Sequence, residues 1–270
     1  MSENKKYALV TGATEGIGYE LAKLFAQDGH NLIMVARHAD VLESRAAAFR
    51  RKGIEVIAIA KDLFERDQAF ALCREVDARN VQVDVLVNNA GQGAYGLFKD
   101  TDIQRELDII DLNIASTVIL TKHFLKGMVA RSGGRILNLA SIASKTPGPW
   151  QSVYHGTKAF VYSFSEAIRH EVKDHNITVT ALLPGATDTD FFNKADMQRS
   201  AIVQDRASLA DPADVARDGY GALMSGTDKI ISGFKNKAMI GMSNIMPDTV
   251  VAAMMDGMQK PVRDGSDPVD

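Results

Sequence analysis

The sequence has one cysteine, Cys73, among its 270 residues. A single cysteine excludes an intramolecular disulfide framework and any metal site built from several cysteines. No uncharged run of 18 apolar residues occurs, so we expect no membrane span and no membrane partner. The residues before the apolar run that starts at Tyr7 lack the pattern of a secretory signal peptide. We therefore expect a cytoplasmic protein without disulfides.

An excess of one charge is also missing. Lys plus Arg total 31 against 34 for Asp plus Glu, and the net charge is −3. The longest basic block, residues 50–52, is too short to bind a phosphate backbone, so we expect no nucleic-acid partner. The six histidines show no metal-ligand spacing, and we expect no metal. The composition, 46% apolar and 24% charged, is typical of a globular domain.

Short apolar runs alternate with longer amphipathic stretches along the chain. The runs predict strands at residues 7–10, 32–35, 56–60, 85–87, 136–139, 177–183 and 238–240. The amphipathic stretches predict helices at about 16–28, 39–52, 66–79, 102–131, 152–175, 211–226 and 248–258. Strands that are apolar throughout are covered on both faces, and strict alternation with helices is typical of a parallel sheet. The pattern predicts one α/β domain over residues 1–270, with a doubly wound parallel sheet of about seven strands.

Two segments depart from this alternation. Residues 186–210 follow the sixth strand, and long insertions at the carboxyl edge of a parallel sheet commonly form binding loops, so we expect a substrate loop there. Residues 238–258 hold six of the eleven methionines. Thioether side chains suit a pliable pocket wall. Ordinary core packing, with a helix against a neighbouring subunit, explains the methionines equally well.

A glycine-rich turn connects the first strand to the first helix. It reads Thr11-Gly12-Ala13-Thr14-Glu15-Gly16-Ile17-Gly18. Glycines at such a turn let the backbone approach a pyrophosphate, and the helix N-terminus attracts the negative charge. The turn is not a nucleotide-triphosphatase loop, because no Gly-Lys-Ser/Thr closes it. Glycines can also serve tight packing alone, but the position after the first strand of a parallel sheet favours a dinucleotide site.

The end of the second strand bears on which dinucleotide is bound. A site for NAD typically has a carboxylate there for the ribose 2′-hydroxyl, whereas a site for NADP has a guanidinium for the 2′-phosphate. Here Ala36 supplies no carboxylate and Arg37 supplies a guanidinium, which favours NADP(H) over NAD(H). Arg37 as a solvated residue at a helix start is the alternative. Glu15 in the phosphate turn weakens the preference by repulsion.

Further polar motifs follow the later strands in a fixed order. They are Asn88-Asn89-Ala90-Gly91 after the fourth strand, Asn113 in the long helix, Ser141 after the fifth strand, Tyr154 with Lys158, and Pro184-Gly185 after the sixth strand. With the glycine turn, these motifs make residues 6–240 resemble the short-chain dehydrogenase/reductase family. The resemblance implies a Rossmann-like sheet and hydride transfer between a nicotinamide and a carbonyl or alcohol. One mild departure is Ala140, where the family usually has a serine.

The resemblance assigns catalytic roles to four residues. Tyr154 would donate a proton to the substrate carbonyl oxygen, Ser141 would hydrogen-bond that oxygen, Lys158 would hold the ribose hydroxyls, and Asn113 would hold a water linked to Lys158. The spacing supports the pair, because Tyr154 and Lys158 share one face of a helix. An ammonium at about 4 Å is of the right scale to lower the tyrosine pKa by the ~3 units that catalysis near neutral pH requires.

The resemblance also implies contacts with the cofactor and the substrate. Cofactor contacts fall on the glycine turn, Arg37, Asp62, Leu63, Asn89, Ala90, Gly91, Tyr154, Lys158, Pro184, Gly185, Thr187 and Thr189. Asp62 as a helix N-cap and Asn89 as a structural residue are the alternatives at those two positions. We expect the substrate to contact Ser141, Trp150, Tyr154, Phe191 and Phe192. His155 faces away from Lys158 on a helix, and we expect no role for it.

The sequence therefore predicts an NADP(H)-dependent oxidoreductase that reduces a carbonyl or oxidises an alcohol. The candidate pocket walls are largely apolar, which favours a neutral or hydrophobic carbonyl substrate. A catalytically silent NADP(H)-binding sensor or scaffold on the same fold is the alternative. A methyltransferase on this fold would have no use for the Tyr154 and Lys158 pair. The resemblance implies a homotetramer or homodimer that pairs helices 102–131 and 152–175.

Overall fold

The computed structural model describes residues 6–262, and residues 1–5 and 263–270 of the predicted domain lie outside the described residues. Seven strands form one sheet: β1 Tyr7–Thr11, β2 Asn31–Ala36, β3 Val56–Ala60, β4 Val83–Asn88, β5 Gly134–Leu139, β6 Ile177–Leu183 and β7 Lys229–Ile231. All neighbouring strands pair in parallel, in the order β3-β2-β1-β4-β5-β6-β7. The predicted doubly wound α/β fold is confirmed.

Helices connect the strands and cover both faces of the sheet. They are α1 Gly16–Gln27, α2 Ala39–Arg50, α3 Arg66–Ala78, α4 Ile103–Ile110, α5 Ser116–Ala130, α6 Ser152–Glu171, α7 Phe191–Lys194, α8 Ala201–Gln204, α9 Pro212–Met224, α10 Phe234–Ser243 and α11 Asp248–Gln259. No helix within residues 6–262 is both long enough and apolar enough to cross a membrane.

Two apolar cores sandwich the sheet because successive strand residues face opposite sides. On one side, Leu9 packs with buried residues of α3 and α5, such as Leu72 and Phe124. On the other side, Val10 packs with α1 and α9, where Phe25 is fully buried. Each such side chain contributes roughly 1.5–3 kcal/mol relative to leaving it exposed. This packing fixes the carboxyl ends of the strands, where the polar motifs lie.

Two sequence predictions need correction. Residues 238–240, predicted as the seventh strand, belong to α10, and the true β7 is Lys229–Ile231, which pairs with β6. Three apolar residues do not distinguish a strand from a helix segment. The predicted helix 102–131 is two helices, α4 and α5, joined by the π-helical segment Asp111–Ala115. Such π turns are frequent at functional sites, and this one contains Asn113.

Candidate active site

A cavity of about 470 Å³ opens at the carboxyl ends of β1, β4, β5 and β6. The strand order reverses between β1 and β4, the point where doubly wound sheets bind their ligands. Predicted site residues that line the cavity are Gly12, Thr14, Glu15, Gly16, Ile17, Gly18, Arg37, Asp62, Leu63, Asn89, Ala90, Gly91, Ser141, Tyr154, Lys158, Pro184, Gly185, Thr187, Thr189, Phe191 and Phe192. The fold thus brings together motifs that are far apart in the sequence.

The glycine turn has a backbone that only glycine suits. Gly12 and Gly16 have φ values of +65° and +54°. A Cβ on Gly12 would lie 2.7 Å from Asn89 Nδ2, and one on Gly18 would lie 2.4 Å from the Gly12 carbonyl oxygen. The turn leads into α1, whose N-cap residue Glu15 makes no side-chain capping hydrogen bond. The first N–H groups of α1 thus remain available, and the turn fits a pyrophosphate.

Asn89 fastens the glycine turn to β4. Its Nδ2 donates to the carbonyl oxygens of Thr11 at 2.8 Å and Gly12 at 3.2 Å. The Thr11 hydroxyl in turn accepts from the backbone N–H groups of Asn89 and Ala90, both at 3.0 Å. These bonds favour the structural interpretation of the Asn89 side chain, beside its place in the cavity wall.

Arg37 stands at the end of β2, on the rim of the cavity. Its side chain is exposed, and it pairs with no carboxylate within residues 6–262. The guanidinium carbon lies 5.1 Å from the ring centroid of Phe64, which also lines the cavity. Asp62 Oδ1 accepts from the Phe64 N–H at 3.1 Å, while the N-cap of α3 is Glu65. Asp62 therefore orders its own turn and is not the N-cap of the helix.

Glu15 is the acidic residue whose negative charge is expected to weaken the preference for NADP(H) by repulsion. Its carboxylate forms an ion pair with Lys194 of α7, and Lys194 also contacts Asp190 at 3.1 Å. The positive charge of Lys194 offsets much of the negative charge that Glu15 brings to the phosphate turn. The predicted repulsion is correspondingly weaker than the sequence alone suggested.

Tyr154 and Lys158 lie one turn apart on α6, facing the cavity. Lys158 Nζ donates to the Leu139 carbonyl oxygen at 2.8 Å and lies 5.7 Å from the centroid of the Tyr154 ring. Ser141 Oγ accepts from the Ala143 N–H at 3.1 Å and donates to the Pro184 carbonyl oxygen at 3.4 Å, and the Ser141 hydroxyl is near enough to the Tyr154 phenol to lower the pKa of that phenol. Ser141 and Tyr154 both line the cavity, within which a substrate oxygen could be held.

Burial controls the protonation of this pair. It raises the pKa of Tyr154 to about 12, although the hydrogen bond with Ser141 acts in the opposite direction. It lowers the pKa of Lys158 to about 8. Removal from water thus opposes the lowering of the Tyr154 pKa that the Lys158 ammonium is expected to give, and the influence that lowers this pKa in the structure comes from Ser141. At neutral pH the tyrosine is a protonated phenol.

Asn113 lies beneath the cavity floor and is only 1% exposed. Its Oδ1 accepts from the Gln92 N–H at 3.0 Å, and its Nδ2 donates to the Gln92 carbonyl and the Thr157 hydroxyl, both at 2.9 Å. A Cβ on Gly91 would lie 3.2 Å from both Asn113 Oδ1 and Lys158 Nζ. The side chain thus positions the loop after β4 close to Lys158, and the water-holding role stays a prediction.

Trp150 does not take the place expected of it. Within residues 6–262, the residues that line the cavity do not include Trp150. Its Nε1 donates to Asp256 Oδ1 at 2.8 Å, and its ring stacks on Tyr95 with centroids 5.7 Å apart. The indole N–H needs a partner when buried, and the carboxylate of α11 supplies it. Trp150 therefore holds α11 in place, and its contact with the substrate stays a prediction.

Phe191 and Phe192 form the wall that the sequence predicted. The Phe191 ring lies 5.2 Å from the Tyr154 ring and 5.7 Å from that of Phe192, measured between centroids. Met239 and Met255 also line the cavity, whereas Met242 is exposed. The methionine-rich segment thus contributes in part to the pocket wall.

His155 was expected to have no role, but it is buried and lines the cavity. Its Nδ1 lies 2.8 Å from the Thr146 carbonyl oxygen, and its Nε2 lies 3.1 Å from Gln259 Nε2. Burial lowers the pKa of His155, so the ring is neutral. The expectation considered α6 alone, whereas the ring also contacts Gln259 of α11; that His155 has no role in the chemistry stays a prediction.

Sequence reasoning missed several other lining residues. They are Phe64, His155, Lys194 and Gln259. Gln259 reaches the cavity from more than a hundred residues away in sequence, and no local pattern indicates it. Within residues 6–262, no group of three His, Cys, Asp or Glu side chains could hold a metal ion.

The comparisons with known proteins agree with this geometry. The family described as short chain dehydrogenase matches residues 6–200. A very-long-chain 3-oxoacyl-CoA reductase of Laccaria bicolor is 39% identical over 181 residues, which are 65% of this chain and 53% of that protein. The dehydrogenase/reductase SDR family member 7B of Mus musculus is 33% identical over 223 residues, 80% of this chain and 69% of that protein.

Solved structures show the same likeness. A short-chain dehydrogenase from Sphingobium yanoikuyae in complex with NADPH is 26% identical, with a TM-score of 0.79, covering 90% of this chain and 96% of that one. The match to the Laccaria bicolor reductase spans only about half of that longer protein. Fold, motif order and site geometry lead to one conclusion: the chain belongs to the short-chain dehydrogenase/reductase family of oxidoreductases.

Proposed function

We propose that the protein reduces a carbonyl to an alcohol with NADPH, or catalyses the reverse reaction with NADP⁺. The observation that carries this proposal is the Tyr154 phenol, which lies beside the Ser141 hydroxyl on the cavity floor, close to Lys158. A proton donor, an oxygen-binding hydroxyl and a buried cation in one cavity suit the reduction of a polarised C=O bond.

The preference for NADP(H) rests on Arg37. Its unpaired guanidinium borders the cavity where the 2′-phosphate of a dinucleotide would lie, and the residue before it, Ala36, has no carboxylate. The structural relative from Sphingobium yanoikuyae is in complex with NADPH, which supports the same choice. The glycine turn would hold the pyrophosphate, and Lys158 the nicotinamide ribose. The bound nicotinamide supplies the hydride.

The proton steps follow from the pKa values of the chain's own groups. The phenol of Tyr154 is protonated at neutral pH, because burial raises its pKa to about 12. It can therefore donate to the substrate oxygen as negative charge develops there. Ser141 holds that oxygen, and the ammonium of Lys158 stabilises the phenolate left behind. The oxidative direction is the reverse of these steps and starts from the phenolate form of Tyr154, which takes the proton from the alcohol.

The substrate we propose is a neutral or hydrophobic carbonyl compound. This choice is supported by the apolar cavity walls, which are formed by Phe191, Phe192, Met197, Met239 and Met255. We further propose residues 186–210 as the substrate loop of a single catalytic domain, because α7 in this loop borders both Tyr154 and the phosphate turn. Ketones, aldehydes and 3-oxoacyl thioesters belong in the test, the last because a similar protein is a 3-oxoacyl-CoA reductase.

The test is the initial rate of NADPH oxidation against a panel of ketones, aldehydes and 3-oxoacyl thioesters, with NADH in parallel. The proposal expects turnover with at least one substrate class and a higher kcat/KM for NADPH than for NADH. Tight NADPH binding without turnover on any panel member would favour the silent sensor instead. Faster turnover with NADH would refute the cofactor preference alone.

A further inference from the structure

Phe64 brings two arginines together at the rim of the cavity. Its ring lies 5.1 Å from the guanidinium carbon of Arg37 and 5.3 Å from that of Arg105, measured to the ring centroid. Arg37 comes from the end of β2 and Arg105 from α4, so Phe64, which follows β3, is the meeting point of three elements. Guanidinium groups stack favourably on aromatic faces.

The ring and Arg105 are both held firmly by the protein. The Phe64 N–H donates to Asp62 Oδ1 at 3.1 Å, and the partly buried ring packs against the apolar core. Arg105 Nη2 donates to Gln92 Oε1 at 2.5 Å and to the Lys194 carbonyl at 3.3 Å. Phe64 therefore offers Arg37 a surface with a fixed position.

Arg37 differs from the basic residues that precede and follow Phe64 in the sequence. Lys61 pairs with Glu75 at 3.1 Å, and Arg66 pairs with Asp111 at 2.7 Å. Within residues 6–262, the contact that holds the Arg37 side chain is the Phe64 ring. Stacking orients a guanidinium without using its N–H donors, which stay free for a ligand oxyanion.

We propose that Phe64 is a positioning residue for the 2′-phosphate of the cofactor. It holds the Arg37 guanidinium on its ring, so that less side-chain freedom is lost when the phosphate binds. Arg105, stacked on the same ring, adds a second positive charge to this region. The inference rests on the proposed preference for NADP(H) and assigns that preference to an aromatic residue as well as to an arginine.

The test compares two adenosine ligands that differ only in the 2′-phosphate: adenosine 2′,5′-bisphosphate and adenosine 5′-monophosphate. Calorimetry at low ionic strength gives Kd for each with the wild type, Phe64→Leu, Phe64→Tyr and Arg37→Ala. Phe64→Leu is expected to reduce the preference for the bisphosphate by about two- to five-fold, the scale of an exposed cation–π contact. Phe64→Tyr keeps the aromatic face and should keep the wild-type preference.

The outcomes separate this inference from the proposed function. If Phe64→Leu weakens both ligands equally, or weakens neither, Phe64 does not position Arg37 and the inference is overturned. If Arg37→Ala leaves the preference for the bisphosphate intact, the proposed cofactor preference itself fails. Should Phe64→Leu not fold, Arg37→Lys replaces it, because lysine keeps the charge but loses the planar stack. A full wild-type preference in Arg37→Lys would also overturn the inference.

Discussion

At the scale of one residue, Lys158 shows how a buried charged group in the site lowers the stability of the folded protein. The side chain is 4% exposed, and burial lowers its pKa to about 8 from an ordinary 10.5. Its ammonium has one protein acceptor in the described part of the chain, the Leu139 carbonyl. A buried cation with so little compensation destabilises the folded state. In the proposed mechanism this charge serves the proton transfer at Tyr154.

The first prediction concerns how stability depends on pH. Between pH 8 and 10.5 the unfolded chain binds the Lys158 proton more tightly than the folded one, so this group makes the folded state more stable as pH rises. The full contribution is on the order of 3 kcal/mol. In Lys158→Met this rise should be absent from the free energy of unfolding, measured by denaturant titration at pH 7.5, 9 and 10.

The matched control is Lys99→Met, which removes a lysine whose side chain is 77% exposed. It is expected to keep the pH dependence of the wild type. An identical pH dependence in Lys158→Met and the wild type would show that the Lys158 ammonium is not destabilised by burial.

The second prediction concerns the role of Arg37 in cofactor binding. Arg37→Ala removes a charged partner of the 2′-phosphate and should weaken NADPH binding about ten-fold or more, while NADH binding changes little. Protein fluorescence titrations with both cofactors give the two Kd values. Arg45→Ala is the control, because Arg45 bonds the Thr14 carbonyl and stacks on Tyr19 instead. Equal losses for NADPH and NADH in Arg37→Ala would contradict the assignment.

At this scale the sequence predicted which side chains meet in the cavity better than it predicted their surroundings. Tyr154, Lys158 and Ser141 could be identified because their order along the chain is distinctive. The roles of Trp150 and His155 could not, because each depends on a partner in α11 more than a hundred residues away. The raised pKa of Tyr154 could not be predicted from the sequence either, since it depends on how much water the folded cavity excludes.

At the scale of elements, α7 is the part of the structure that joins the two halves of the cavity. Lys194 at its end pairs with Glu15 of the phosphate turn, and the Lys194 carbonyl accepts from Arg105 at 3.3 Å. At its start, Phe191 lies against Tyr154. A helix of four residues has little stability of its own, so these contacts hold it in place.

The third prediction follows from the Glu15–Lys194 pair. Lys194→Gln leaves Glu15 unpaired beside the bound phosphates and should weaken NADPH binding by about two- to five-fold, the scale of an exposed ion pair. Adding Glu15→Gln to that variant should restore the affinity. The Kd for NADPH, measured by fluorescence titration for the wild type, both single variants and the double variant, gives a double-mutant cycle. Strictly additive effects would mean that the pair does not influence the cofactor.

The element boundaries show where sequence patterns fail to distinguish strands from helices. Strands β1 to β6 were found because each contains a short run of mostly apolar residues. The edge strand β7 has three residues, and the apolar residues 238–240 looked equally like a strand. What distinguishes them is the pairing of β7 with β6, a long-range contact that local composition does not encode.

At the scale of the whole molecule, exposed apolar side chains on α4 and α6 favour the proposed oligomer. Ile103 and Leu107 are 63% and 46% exposed and lie one turn apart on α4, and Phe160 on α6 is 40% exposed. Apolar side chains grouped on neighbouring helices commonly mark a protein–protein interface. These helices are the ones that the family resemblance implies for subunit pairing.

The fourth prediction is that the protein is a dimer or tetramer at micromolar concentration, as measured by light scattering after size exclusion. Leu107→Asp should lower the mass towards that of one chain, because it places a charge in the apolar contact. Phe234→Asp is the control, since Phe234 is 84% exposed on α10, which is not one of the helices expected to pair. A monomeric mass for the wild type would contradict the proposed assembly.

The most direct test of the account is the initial rate of NADPH oxidation by the wild type and by Tyr154→Phe, with the best substrate of the panel. The account predicts that the variant binds NADPH with a Kd close to that of the wild type, because the lost hydroxyl faces the substrate oxygen. Its kcat should fall by roughly 10²–10⁴-fold, the usual contribution of a general acid. A Tyr154→Phe enzyme that retains the wild-type rate would contradict the central claim that Tyr154 is the proton donor.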